Sequence, residues 1–174
     1  MNGSAIISWV RHPRMVAWFL FVAVAWIAVR VPFAGVYFLA SVAEFTPGFV
    51  LVPLAGLYAG PAGVAGIVAG TLLGDLLLGQ WGGMTGYRVL AYGLGSLYMM
   101  VLSRPGELTA GRGDGWAIGL KLIPVCLTSA AWIAVGGTLQ RLYPFAYLLG
   151  LNLAQFVVFG GMLAPVAIHM LAVH

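Results

Sequence analysis

The sequence predicts an all-α, polytopic membrane protein: a six-helix bundle with both termini cytoplasmic. Three observations predict it. The 174 residues are 62% hydrophobic and only 7% charged, whereas a soluble domain carries about 25% charged residues. Such a chain has too little polar surface to dissolve as a globule, so most of its solvent is lipid, in keeping with a mean hydropathy of +1.03. The apolar residues also come in long blocks, not in the alternating segments of about ten residues that build a transmembrane barrel.

The elements are placed by the roughly 20 apolar residues that a spanning helix needs, with a range of about 17–25. The first helix is placed at 14–31. Its basic start (Arg11, Arg14) and apolar run from Met15 to Val29 have the outline of a signal peptide. The run leads into "RVPFAG" and more membrane sequence, so it reads as a retained helix. The segment 32–46, "PFAGVYFLASVAEFT", is apolar but holds Pro32, Gly35 and Glu44. It is a re-entrant or interfacial loop, or an extension of the first helix. The helix at 47–60 is short and contains Pro47 and Pro53, which membrane helices tolerate where neighbours satisfy the freed carbonyl. Gly60-Pro61 marks a tight turn into a helix at 62–79. Helices at 87–103, 116–137 and 146–171 complete a single transmembrane domain, 1–174. An even number of spans puts Arg11, Arg14, Arg104 and Arg112 on one side and Arg30, Arg88 and Arg141 on the other. The positive-inside rule makes the first side cytoplasmic.

The formal charge of +4 calls for no nucleic acid. The single Cys126 forms no internal disulfide and fits no zinc spacing; it reads as a small buried packing residue. His12, His169 and His174 lie far apart, with no HExxH and no paired carboxylates. Thr71, Thr128 and Ser129 have no base nearby in sequence and read as packing residues or interhelical hydrogen bonds. No enzyme, metal or cofactor is expected. With no phosphate-binding loop in the chain, any energy source lies in a partner or a gradient.

Gly66, Gly70 and Gly74 recur every four residues and therefore share one helix face, with Ala62 below them. Small residues let backbones approach closely in lipid, where association rests on packing. Gly56 and Gly60, like Ala55 and Ala59, repeat the spacing one helix earlier, so the helices at 47–60 and 62–79 are expected to pack as a hairpin. The stripe serves internal packing or docking to a partner. Asp75 comes directly after it. An ionisable group in a span costs about 2.5–3.5 kcal/mol at the centre on insertion scales, so Asp75 should face the bundle interior or water and take a partner. Arg88, opening the next helix on the same side, is the expected one, as a structural clasp or as part of a ligand contact.

Arg30, Glu44, Asp75, Arg88, Arg141, Asn152 and Gln155 all map toward the outer half of the bundle, and Asn152 and Gln155 share a helix face. Tyr37, Tyr87, Tyr92, Tyr143, Tyr147 and Trp81 lie near the same level, where aromatic rings commonly anchor helices at the interface. Polar groups from several segments beside aromatic walls are also what a small-molecule pocket needs. Arginine suits an anionic group, because guanidinium pairs well with carboxylate or phosphate.

The run "FTPGFVLVPLAGLYAGPAGVAGIVAGTLLGDLLLG", 45–79, with "GGMTGYRVLAYGLGSLYMMVL" after it, resembles the substrate-binding S-components of energy-coupling factor (ECF) transporters. The resemblance implies a six-helix protein of a bacterial or archaeal cytoplasmic membrane. It implies capture of a vitamin-like small molecule at the outer face, and partners comprising a coupling transmembrane protein and two ATPases besides the lipid bilayer. It also implies a ligand site in the segments Arg30 to Glu44, Tyr87 to Tyr92, Arg141 to Tyr147 and Asn152 to Gln155. The chain departs from that family in one respect: Ala17, Ala23, Ala25 and Ala28 never fall four apart, so an Ala-xxx-Ala docking stripe is missing from the first helix. The same run is similar to the small membrane subunit of the bacterial rod-shape (cell-elongation) complex, a scaffold without a ligand. The outer polar cluster favours the binder.

Overall fold

The computed structural model describes residues 12–39, 43–103 and 115–172. The expectations placed on Arg11, Arg104, Arg112 and His174, and on the side chains of Tyr37 and His169, lie outside the described residues. Helix α1 is Pro13–Arg30. Its start reflects proline, whose fixed φ and missing N–H suit the first turn. At about 1.5 Å per residue its length nearly matches the roughly 30 Å hydrocarbon core. A 3₁₀ turn, Val31–Phe33, carries the chain out of α1. Two short antiparallel strands, β1 (Tyr37–Leu39) and β2 (Ala43–Glu44), pair with Tyr37 opposite Glu44. Residues 37–39 and 43–44 therefore fold back on each other and do not extend α1.

A 3₁₀ turn at Pro47–Val50 leads into α2, Leu51–Leu77. The sequence predicts two helices here, 47–60 and 62–79; the structure joins them in one element broken at Gly60, whose φ of 54° and ψ of −132° are non-helical. The residues that face each other give the direction of each arm. Along α1 and the second arm, Phe19 lies by Gly66, Ala23 by Gly70 and Arg30 by Gly74, so these two run the same way. Helix α3, Gly83–Leu102, places Gly93 by Val68 and Arg88 by Asp75, and so runs opposite to the second arm. The first arm puts Val52 by Gly95 and Gly56 by Met100, and so runs with α3. The two arms of α2 are therefore antiparallel, and Gly63 sits so close to Ala55 that a Cβ would lie 2.0 Å from its carbonyl oxygen.

Helix α4 is Gly115–Leu139 and α5 is Phe145–Phe156. A π-helical stretch at Val157–Leu163 continues α5 into α6, Ala164–Ala172. The Cys126 thiol donates to the Phe156 carbonyl at 3.3 Å, where the α pattern gives way. The glycines of "FGGM" explain the rest of that site, because a Cβ on Gly160 would meet the Phe49 ring at 2.6 Å. Phe49 in turn stacks on Phe156, with centroids 4.0 Å apart and planes 12° apart. Trp26, Phe49, Ile67, Met99, Leu122 and Phe156 are wholly or nearly wholly buried and form the centre of the core.

Among the described residues four stretches are long and apolar enough to cross a membrane: Pro13–Phe33, Pro47–Leu77, Ile118–Leu139 and Phe145–Ile168. Large apolar side chains such as Phe21, Val24, Leu76, Val101 and Met170 point outward on these and neighbouring helices. The architecture is thus that of an integral membrane protein, and among the described residues its regular elements are helices apart from the small β1–β2 ribbon.

The glycine stripe packs internally, but its partner is not the 47–60 arm. A Cβ on Gly66 would lie 2.9 Å from the Phe19 carbonyl oxygen, and one on Gly70 would lie 3.0 Å from the Ala23 carbonyl oxygen and the Trp26 ring. Helix α1 fills the groove. The small residues of the first arm serve other contacts: Gly56 meets the α3 backbone at Ser96, and Ala55 and Ala59 lie against Gly63.

Candidate functional site

Four charged side chains from four segments meet at one end of the bundle. Arg30 is the last residue of α1, Asp75 lies in the last turn of α2, Arg88 is in the second turn of α3, and Glu44 ends β2. Arg30 Nη2 forms an ion pair with Asp75 Oδ1. Arg88 Nη1 donates to Asp75 Oδ2 at 3.2 Å. The other Arg88 nitrogen, Nη2, donates to Glu44 Oε2 at 3.2 Å. The charges therefore alternate, Glu44–Arg88–Asp75–Arg30, and the network is neutral as a whole. Burial removes the water that would otherwise stabilise each ion, a penalty of several kcal/mol per charge unless a partner replaces it. Asp75, with no exposed side-chain surface, has a guanidinium on each oxygen.

The end of α2 explains how a fifth group joins. Gly79 has φ +66°. Its N–H donates to the Leu76 carbonyl, and the Gln80 N–H donates to the Asp75 carbonyl at 2.8 Å. This is the Schellman pattern that ends a helix on a left-handed glycine. It turns Gln80 back over Asp75, and Gln80 Oε1 accepts from Arg88 Nη1 at 3.3 Å and from Arg30 Nη2 at 3.5 Å. Arg30 Nη1 donates to the Thr71 carbonyl at 3.4 Å. Thr85 Oγ1 accepts from the Gly82 N–H at 3.2 Å, which satisfies an end-group of α3 one turn before Arg88.

A second polar chain leads from the loop to α5. Thr46 Oγ1 donates to the Glu44 carbonyl at 3.1 Å, and the Thr46 N–H donates to Gln155 Oε1 at 3.3 Å. Gln155 Nε2 donates to Asn152 Oδ1 at 3.0 Å, and Asn152 Nδ2 donates to the Leu148 carbonyl at 2.8 Å. Thr46 also lies beside Tyr92, whose ring packs edge-on against Trp26 with centroids 5.0 Å apart. Residues 44–46 are thus held on one side by Arg88 and on the other by the α5 amides. Phe45, between them, packs on Phe33 and Phe159.

Arg30, Glu44, Asp75, Arg88, Tyr92, Asn152 and Gln155 therefore belong to one connected region, and the expected Asp75–Arg88 pair is present. Tyr87 does not join it: its ring lies over Gly136 of α4. Tyr92 is a core residue, 3% exposed, and not a membrane-interface anchor. Gln80 and Thr46 are additions that sequence reasoning passed over. The glycine preceding Gln80 was the available signal for the first; nothing in the sequence marks the second. A separate apolar groove of about 490 Å³ runs between α1 and the first arm of α2, walled by Trp18, Phe21, Ala25, Leu54 and Tyr58. It carries no charged side chain, and its chemistry is that of an acyl chain or a helix face.

No family model, curated protein or solved structure matches this chain.

Proposed function

We propose that this chain is a six-pass substrate-binding subunit of an ECF-type importer. In this reading each arm of α2 and α3 count as crossings, and both termini are cytoplasmic. The subunit captures a vitamin-like small molecule at the outer face of a bacterial or archaeal cytoplasmic membrane, and a coupling membrane protein with two ATPases drives its uptake. The observation that carries the reading is the described part of the loop between α1 and α2, residues 31–39 and 43–46. It folds over the helix ends and is held there by side chains from different helices, Arg88 on one flank and Gln155 on the other. A loop tied by a few polar contacts, over a region where α1, α2, α3 and α5 all contribute polar groups, is suited to admit and enclose a small molecule.

A second reading, the non-catalytic scaffold of the rod-shape complex, is favoured by one feature. The network is already neutral, and a clasp that only fastens helices needs no ligand. A mild-detergent pull-down from the native membrane, with mass spectrometry of proteins and small molecules, separates the two. Two ATPases, a coupling membrane protein and a co-purifying metabolite are expected. Cell-wall synthesis proteins without a metabolite would replace the importer with the scaffold.

A further inference from the structure

The two carboxylates of the ion-pair network are not equivalent. Asp75 is fully enclosed, has a guanidinium on each oxygen, and stands on the regular helix α2. Glu44 stands on the two-residue strand of the loop, and its side chain is 16% exposed. Only its Oε2 meets Arg88; Oε1, like Asp75 Oδ1, is buried without a hydrogen bond, but Asp75 Oδ1 has the Arg30 guanidinium in an ion pair and Glu44 Oε1 has no such partner. A buried acceptor left without a partner is destabilising, more so when it is charged. One carboxylate is thus enclosed between two arginines, and the other, partly exposed, has Arg88 as its one ion-pair partner.

The geometry points to Glu44 as an internal stand-in for an external anion: a monoanionic, carboxylate-bearing small molecule displaces Glu44 from Arg88 and releases the 43–46 loop segment. The inference rests on the substrate-binding reading above. The charge balance sets the class. With Glu44 in place, Arg30, Arg88, Asp75 and Glu44 sum to zero; with Glu44 withdrawn, the remaining three leave one positive charge, which a single negative charge cancels and a dianion overshoots. Arg88 is suited to the exchange because its fork presents Nη2 to Glu44 while Nη1 stays on Asp75 and Gln80. The arginine itself need not move. Arg88 and Glu44 are 15% and 16% exposed, so the exchange point is reachable from outside, whereas Asp75 is not. Because the covalent tether gives Glu44 a high effective concentration at Arg88, a simple anion displaces it from the wild-type chain only at high concentration and binds readily once Glu44 is removed.

The test is chemical rescue of the full-length protein in detergent. Glu44→Ala is expected to melt at a lower temperature than wild type. Sodium formate is expected to restore most of the loss, with sodium chloride at equal ionic strength restoring little. In the wild-type chain, amide hydrogen exchange at residues 43–46 is expected to rise in molar formate and not in chloride at the same concentration. A folded Glu44→Ala protein that formate does not stabilise overturns the inference. If that variant does not fold, wild-type exchange that formate leaves unchanged overturns it instead. Formate rescue without ATPase partners in the pull-down keeps the anion site and removes the importer; partners without rescue do the reverse.

Discussion

Arg30 reaches Asp75 across the bare flank of Gly74: the Arg30 Nη1 atom lies 3.3 Å from where a Gly74 Cβ would stand. The third glycine of the stripe therefore leaves room for a charged side chain, whereas the first two leave room for a backbone. The stripe and the acid next to it belong to one device. Close approach of α1 and α2 delivers the end of α1 to the carboxylate.

Removing that carboxylate should be severe. Asp75→Asn leaves Arg30 and Arg88 facing each other with no acid between them, and only Arg88 keeps an acidic partner, Glu44. Breaking a buried ion pair by removing one partner costs about 3–5 kcal/mol. The melting temperature in detergent should fall sharply, and further than for Glu44→Gln, whose side chain is partly exposed. Equal losses would mean that burial does not rank the two acids.

The glycines should also divide by what they touch. A Cβ on Gly56 would sit 2.0 Å from the Ser96 carbonyl oxygen, which is backbone and cannot step aside. Overpacking of this kind costs roughly 1–3 kcal/mol. Gly74→Ala meets only the end of the Arg30 side chain, which can swing, and should cost less. Gly70→Leu should part α1 from α2 and lower the yield of folded protein. A fully stable Gly70→Leu variant would place the stripe outside the α1 contact.

Gly60 tests the turn between the arms. Nothing lies within 4 Å of a Cβ there, so Gly60→Ala brings no clash, only the strain of φ +54°. That region favours glycine, and the expected loss is of order 1–3 kcal/mol. Thermal melting of the purified variant measures it. No loss would mean that the arms tolerate another connection.

Gln155 tests how the loop is tied to α5. Gln155→Ala removes the acceptor for the Thr46 N–H and the donor to Asn152. An orphaned buried group costs about 1–3 kcal/mol, and hydrogen exchange at Thr46 should speed up. If only the exchange changes, the amide holds the loop and not the bundle. If neither changes, the polar chain from Thr46 to Asn152 does not hold the loop.

The sequence by itself determined the helices, because length and hydropathy are local properties. Blocks at 14–31, 87–103 and 116–137 correspond to Pro13–Arg30, Gly83–Leu102 and Gly115–Leu139 within a few residues. It also determined that Asp75 needs a partner and that Arg88 lies near enough to be one, since both flank one short turn. Tertiary structure decided what periodicity leaves open. A glycine stripe states that something will pack closely but not which helix, and here α1 occupies it. Arg30 became the second partner of Asp75 for the same reason. Thr46 entered the site because a loop with no repeat to read was folded back against α5. Tyr87 left it because its helix turns that ring toward Gly136. Which neighbour fills a groove depends on how all the helices share the available faces, and no single segment encodes that.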